Sequence, residues 1–158
     1  MPAPWHDACV GEPHVQVQRL CVGAHLPSHP RAHPSVKSVI VSEDDPAIAQ
    51  LLEEVIRDRL DASAHVVPNG ALVTDAISEH RPDLLILDVA LPGLSGIDVF
   101  DLVKGSPAYA GVPVLFLTAN PDQARSAAKD TYVMAKPFDV DELVRVMAEM
   151  LRTEPIAA

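Results

Sequence analysis

From Val36 onward, short aliphatic runs alternate with segments whose apolar residues recur at helical spacing, and this alternation constrains the fold more than any other feature. The runs are Lys37–Val41, Ala64–Val67, Leu84–Leu87, Val114–Leu117 and Val133–Ala135. Each is too short for a typical helix, and several are rich in the β-branched residues that suit strands. The Leu84-Leu85-Ile86-Leu87 run has no polar alternation, so it must be buried on both faces. That is the condition of a strand inside a parallel sheet wrapped in helices, and the pattern predicts an α/β domain over residues 36–152.

Four helical segments follow from periodicity. Ile48, Leu51, Leu52, Val55 and Ile56 form one stripe, with Asp45 suited to cap it and Pro46 to open it. Others are expected over Ala71–His80, from Gly96 to the break at Gly105-Ser106-Pro107, and over Val140–Leu151. The stripe of Leu143, Val146, Met147, Met150 and Leu151 reads as core packing rather than a methionine ligand site. A short fifth helix fits around Gln123–Lys129.

Residues 1–35 carry scattered prolines and histidines with no sustained period, and are expected to be a flexible Pro/His-rich leader; residues 153–158 are expected to be a short tail. Cys9, His14, Cys21 and His25 have a spacing too loose for a zinc motif. A leader of that length is too short and irregular for a DNA-binding fold, so a stand-alone domain is expected. With 12 Lys and Arg against 22 Asp and Glu, the net charge of −10 opposes binding to nucleic acid or anionic membrane. No apolar run is long enough to span a bilayer and no secretory signal opens the chain, which predicts a cytoplasmic protein.

In an open parallel sheet, ligands collect outside the carboxyl ends of the strands. Glu43 and Asp44 follow the first strand here, and Asp88 follows the third. Three carboxylates gathered in one cleft repel one another, and a hard divalent cation such as Mg²⁺ is the natural remedy. Thr118 closes the fourth run and Lys136 follows the fifth, bringing a hydroxyl and an ammonium. A carboxylate nucleophile, a metal, a hydroxyl and a cation are what phosphoryl transfer needs, because its catalysis is mostly positioning and charge neutralisation.

The motifs Val-Ser-Glu-Asp-Asp-Pro at 41–46, Leu-Asp-Val-Ala-Leu-Pro-Gly at 87–93 with Gly96, Leu-Thr-Ala at 117–119 and Ala-Lys-Pro-Phe at 135–138 resemble, in order and spacing, the bacterial response-regulator receiver domain in its single-domain, CheY-like form. The resemblance implies a flavodoxin-like, doubly wound, five-stranded parallel sheet of order 2-1-3-4-5 with helices on both faces. It implies that Asp88 is the phosphoacceptor and that Asp44, Glu43, Asp88 and the Ala90 carbonyl make the Mg²⁺ site. Thr118 and Lys136 would grip the phosphoryl oxygens, and Pro137 would follow a cis bond. The donor would be a sensor histidine kinase or histidine phosphotransfer protein, the output a protein–protein surface, and the only chemistry the domain's own phosphotransfer and slow dephosphorylation.

Three features bear on how the chain fits the family pattern. Val133 stands where an aromatic switch residue is usual, with Tyr132 one place earlier. The interval from Thr118 to Lys136 is short for the family, so the fourth helix should be short and its face should meet an unusual partner or form a homodimer. Ala90 and Asn120 occupy the positions that tune dephosphorylation. Haloacid-dehalogenase-type hydrolases share the Asp, Mg²⁺, Thr or Ser, and Lys, but they want a second Asp where this chain has Ala90. A receiver fold acting by constitutive contacts is the other alternative. Gly93 and Gly96 read as turn and helix-start residues, and His65 and His80 as solvated side chains without a role.

Overall fold

The computed structural model describes residues 36–152; the readings of residues 1–35 as a leader, of Cys9, His14, Cys21 and His25, and of residues 153–158 as a tail lie outside the described residues. The five strands are β1 (Lys37–Ser42), β2 (Ala62–Val67), β3 (Leu84–Leu87), β4 (Val114–Thr118) and β5 (Tyr132–Ala135). They form one parallel sheet in the order β2-β1-β3-β4-β5. The helices are α1 (Pro46–Leu60), α2 (Val73–His80), α3 (Gly96–Gly105), α4 (Pro121–Ala127) and α5 (Val140–Leu151).

The side-chain period of two divides the core between the faces of the sheet. Val39 and Val41 of β1, Leu84 and Ile86 of β3, and Leu115 and Leu117 of β4 pack with α1 and α5. Ile40, Leu85, Leu87 and Phe116 point the other way, against α2, α3 and α4. Every residue of β3 is buried, as its uninterrupted apolar run requires.

Asp45 caps α1, its carboxylate accepting the Ala47 and Ile48 amides, with Pro46 at the first helical position. Ser95 and Asp98 cap α3 reciprocally. The helix expected from Ala71 begins instead as a single 3-10 turn, Gly70–Leu72, and becomes α-helical at Val73. The fourth helix starts two residues earlier than expected, at Pro121, whose fixed φ suits the opening turn. β1 and β4 run one residue further than the apolar runs, into Ser42 and Thr118, because the ladder does not depend on side-chain polarity. β2 starts at Ala62, directly after Asp61 ends α1 in the left-handed conformation. His65 and His80 are half-buried rather than solvated, their rings stacked with centroids 3.7 Å apart. Among the described residues, no helix is long and apolar enough to cross a membrane.

Candidate functional site

The residues singled out at strand ends are held there by ladder hydrogen bonds that continue past the strands. The Glu43 amide donates to the Val67 carbonyl at 3.2 Å, the Asp88 amide to the Ser42 carbonyl at 3.0 Å, and the Lys136 amide to the Thr118 carbonyl at 2.9 Å. The backbones of Glu43, Asp88 and Lys136 are therefore each tied to a neighbouring strand as well as to their own. The three carboxylates converge: Glu43, Asp44 and Asp88 each offer an oxygen, all within 4.8 Å of one another. Glu43 is 2% exposed and Asp88 7%, whereas Asp44 faces solvent.

Lys136 joins two of them. Its Nζ donates to Glu43 Oε2 at 2.5 Å and to Asp88 Oδ2 at 2.7 Å, and its side chain is 13% exposed. Asp88 Oδ1 accepts the Ala90 amide at 3.1 Å, so both oxygens of that carboxylate are engaged. Thr118 is wholly buried, and its Oγ1 accepts the Asn120 amide at 3.1 Å, which leaves the hydroxyl proton available to the carboxylate side of the cleft. The Lys136–Pro137 peptide is cis.

The two buried carboxyls respond to this setting in opposite directions. Burial pushes the Asp88 carboxyl up, but the Lys136 hydrogen bond, the Ala90 amide, the nearby ammonium charge and the Thr118 hydroxyl together hold it below the usual range. Burial also pushes Glu43 up, and there Lys136 and the Asp45 amide do not reverse the effect. For Lys136, burial works against the charge, but the bonds to Asp88 and Glu43 outweigh it and hold the ammonium above its ordinary value. Asp88 is thus an ionised carboxylate at neutral pH with a cation against it.

Two glycines shape the loop after β3. Gly93 has φ +78°, and a Cβ added at Gly96 would stand 2.0 Å from the Asp88 carbonyl oxygen, so α3 can begin against Asp88 only with glycine there. Asn69 and Gly70 also touch this loop, although nothing in the strand-end pattern singles them out; Asn-Gly as a turn dipeptide was the one available signal. A pocket of about 270 Å³ opens beside the carboxylates, lined by Glu43, Asp44, Pro46, Gln50, Val66 and Pro68 among others. A larger hollow of about 540 Å³ lies away from this chemistry, between β5 and α5. Three clustered carboxylates are hard oxygen donors of the kind that hold Mg²⁺.

The chain is similar to known proteins in sequence and in fold. A family model for the response regulator receiver domain matches residues 39–148. The DNA-binding response regulator MtrA of Mycolicibacterium smegmatis is 40% identical over 122 residues, which cover 73% of this chain and 51% of that protein. The chain spans about half the length of the curated relatives it matches. Among solved structures, the signal receiver domain of a signal transduction histidine kinase from Syntrophus aciditrophicus is 28% identical with a TM-score of 0.67, covering 78% of this chain and 98% of that one. The receiver domain of a sensor histidine kinase from Pseudomonas aeruginosa PAO1, solved with a magnesium ion in its active site cleft, shares the fold at 24% identity and a TM-score of 0.66, covering 75% and 99%. With its parallel sheet in the order 2-1-3-4-5 and its acids, threonine and lysine at the strand ends, the chain belongs to the response regulator receiver domain family, the phosphoacceptor domains of two-component signalling.

Proposed function

We propose that Asp88 accepts a phosphoryl group from a phosphohistidine on a sensor kinase or phosphotransfer protein, and that the resulting acyl phosphate shifts the domain between two surface states. The observation that carries this reading is the environment of Asp88: an ionised, nearly buried carboxylate, 2.7 Å from the Lys136 ammonium and clustered with Glu43 and Asp44.

In the transfer, an Asp88 oxygen attacks phosphorus and the phosphorus–nitrogen bond to the donor imidazole breaks. The electron pair stays on that nitrogen, which takes a proton. Lys136 and the Thr118 hydroxyl would meet the phosphoryl oxygens as charge moves onto them. Glu43, Asp44, Asp88 and the Ala90 carbonyl would hold Mg²⁺, which when bound supplies neutralising charge for the transferred group. Water then hydrolyses the acyl phosphate slowly, so the domain acts on its own phosphoryl group and turns over no separate substrate. The changed surface is read by a protein partner, and a cytoplasmic setting belongs to the same reading.

The test is intact mass after incubation of the full chain with Mg²⁺ and acetyl phosphate. A base-labile phosphoryl adduct is expected on the wild type and not on Asp88→Asn. No adduct from a panel of competent donors, with no spectroscopic response to Mg²⁺ and beryllofluoride, would instead leave a module that binds constitutively.

A further inference from the structure

The corner between β2 and α2 contributes no carboxylate, hydroxyl or ammonium to the site, yet it touches both loops that carry the acids. At its start, the Val67 carbonyl accepts the Glu43 amide at 3.2 Å. Three residues later, the Gly70 amide donates to the Pro92 carbonyl at 3.2 Å, in the loop that leaves Asp88 and Ala90. One short stretch thus bonds to the backbone of the first acidic loop and to that of the second.

The second contact tolerates little change. A Cβ added at Gly70 would stand 1.9 Å from the Leu94 carbonyl oxygen and 2.8 Å from its carbonyl carbon, both backbone atoms that cannot rotate away. Gly70 is itself buried. Asn69 fixes the turn that presents it: its Oδ1 accepts the Ala71 amide at 2.8 Å, and its carbonyl accepts the Leu72 amide at 3.1 Å. The same Oδ1 lies where a side chain at Gly93 would have to go, 2.3 Å from an added Cβ, and Gly93 already needs its positive φ. Pro92, Gly93 and Leu94 are therefore each met by Asn69 or Gly70, with no large side chain between the two backbones.

We infer that the Asn69–Gly70 corner is a positioning element that holds the Pro92–Leu94 end of the loop leaving Asp88, and so sets where the Ala90 carbonyl lies relative to Glu43 and Asp44. It thereby governs how well the site accepts a divalent cation and a phosphoryl group. The inference rests on the reading of Asp88, Asp44, Glu43 and Ala90 given under the proposed function. Groups that orient ligands without touching the metal commonly change affinity by about tenfold or more when altered, and the corner meets the loop that leaves Asp88 and Ala90 at Pro92, Gly93 and Leu94.

The full chain is assayed as wild type and as Gly70→Ala, Asn69→Ala, Asn69→Ser and Gly105→Ala. Mg²⁺ affinity is measured by calorimetry, adduct formation from acetyl phosphate by mass, and the melting temperature without metal. Gly70→Ala should weaken Mg²⁺ binding by about tenfold and slow adduct formation. Asn69→Ala should do so to a smaller degree, and Asn69→Ser, which keeps a capping oxygen, should return toward wild type. Gly105→Ala, where an added Cβ meets nothing, should change neither quantity. Wild-type Mg²⁺ affinity in folded Gly70→Ala and Asn69→Ala, with only a lower melting temperature, would overturn the inference. Should Gly70→Ala fail to fold, the Asn69→Ala and Asn69→Ser pair decides by the same criterion. A wild type that binds Mg²⁺ but forms no adduct would sink the phosphoacceptor reading alone, and the corner would still stand or fall on the Mg²⁺ affinities.

Discussion

Lys136 bonds to Glu43 and Asp88 together, and so does in the protein's own chemistry part of what a divalent cation would do there. Both carboxylates are nearly buried, and removing the shared cation leaves like charges facing each other in a medium that solvates them poorly. Lys136→Ala should therefore destabilise the domain by on the order of 3 kcal/mol in chelator, the scale for breaking a buried ion pair, reduced in so far as water enters the open cleft. Saturating Mg²⁺ should recover part of that loss, so the gap in melting temperature between variant and wild type should narrow. No rise in either melting temperature on adding Mg²⁺ would show that the three carboxylates do not take the ion. Glu43, Asp88 and Lys136 were legible in the sequence because strand ends place side chains by arithmetic: one or two residues past an apolar run lie at the cleft. Gly70 was not legible in the same way. Its role is a close approach between two backbones far apart in sequence, and glycine in a turn dipeptide does not reveal what presses against it. The stacking of His65 on His80 was hidden for the same reason, since it needs β2 and α2 placed side by side.

At the scale of elements, the sheet was legible from the aliphatic runs and α1 from its stripe, cap and proline, whereas α4 was displaced from its expected place. Its seven residues, Pro-Asp-Gln-Ala-Arg-Ser-Ala, hold no large apolar side chain, so periodicity had little to act on. Asn120 makes no side-chain cap bond to it either. What holds α4 is close packing: Ala124 and Ala128 are buried with Phe116, Val133 and Val114, and their small side chains let the helix lie near the sheet. Ala124→Leu should force the helix away and cost about 1–3 kcal/mol, the usual range for overpacking, read as a lower urea midpoint with an unchanged slope. An unchanged midpoint would mean that α4 is held by something other than this contact.

Across the whole molecule, the sheet divides the signals that a phosphoryl group on Asp88 could send. Thr118 shares the α2–α3–α4 side with Phe116 and Val133, while Tyr132 and Met134 belong to the side covered by α1 and α5. Tyr132 is 48% exposed, and its hydroxyl donates to Glu149 Oε1 of α5 at 3.4 Å. The aromatic next to the expected switch position therefore cannot turn into space left by Thr118 without passing through the plane of the sheet. What does connect to Thr118 is α4: the hydroxyl accepts the amide of Asn120, the residue from which that helix starts. If the hydroxyl turns toward a phosphoryl group, that bond is weakened at the helix entrance, and α4 and Val133 should move while the Tyr132 ring stays in place, a shift between two packings. In the Mg²⁺–beryllofluoride form of the proposed switch, amide NMR shifts should concentrate from Thr118 through Ala128 and at Val133, and Tyr132→Phe should leave their pattern intact. Collapse of the pattern in Tyr132→Phe would place the readout on the α5 side of the sheet, with the exposed tyrosine as its moving part despite the missing aromatic at position 133.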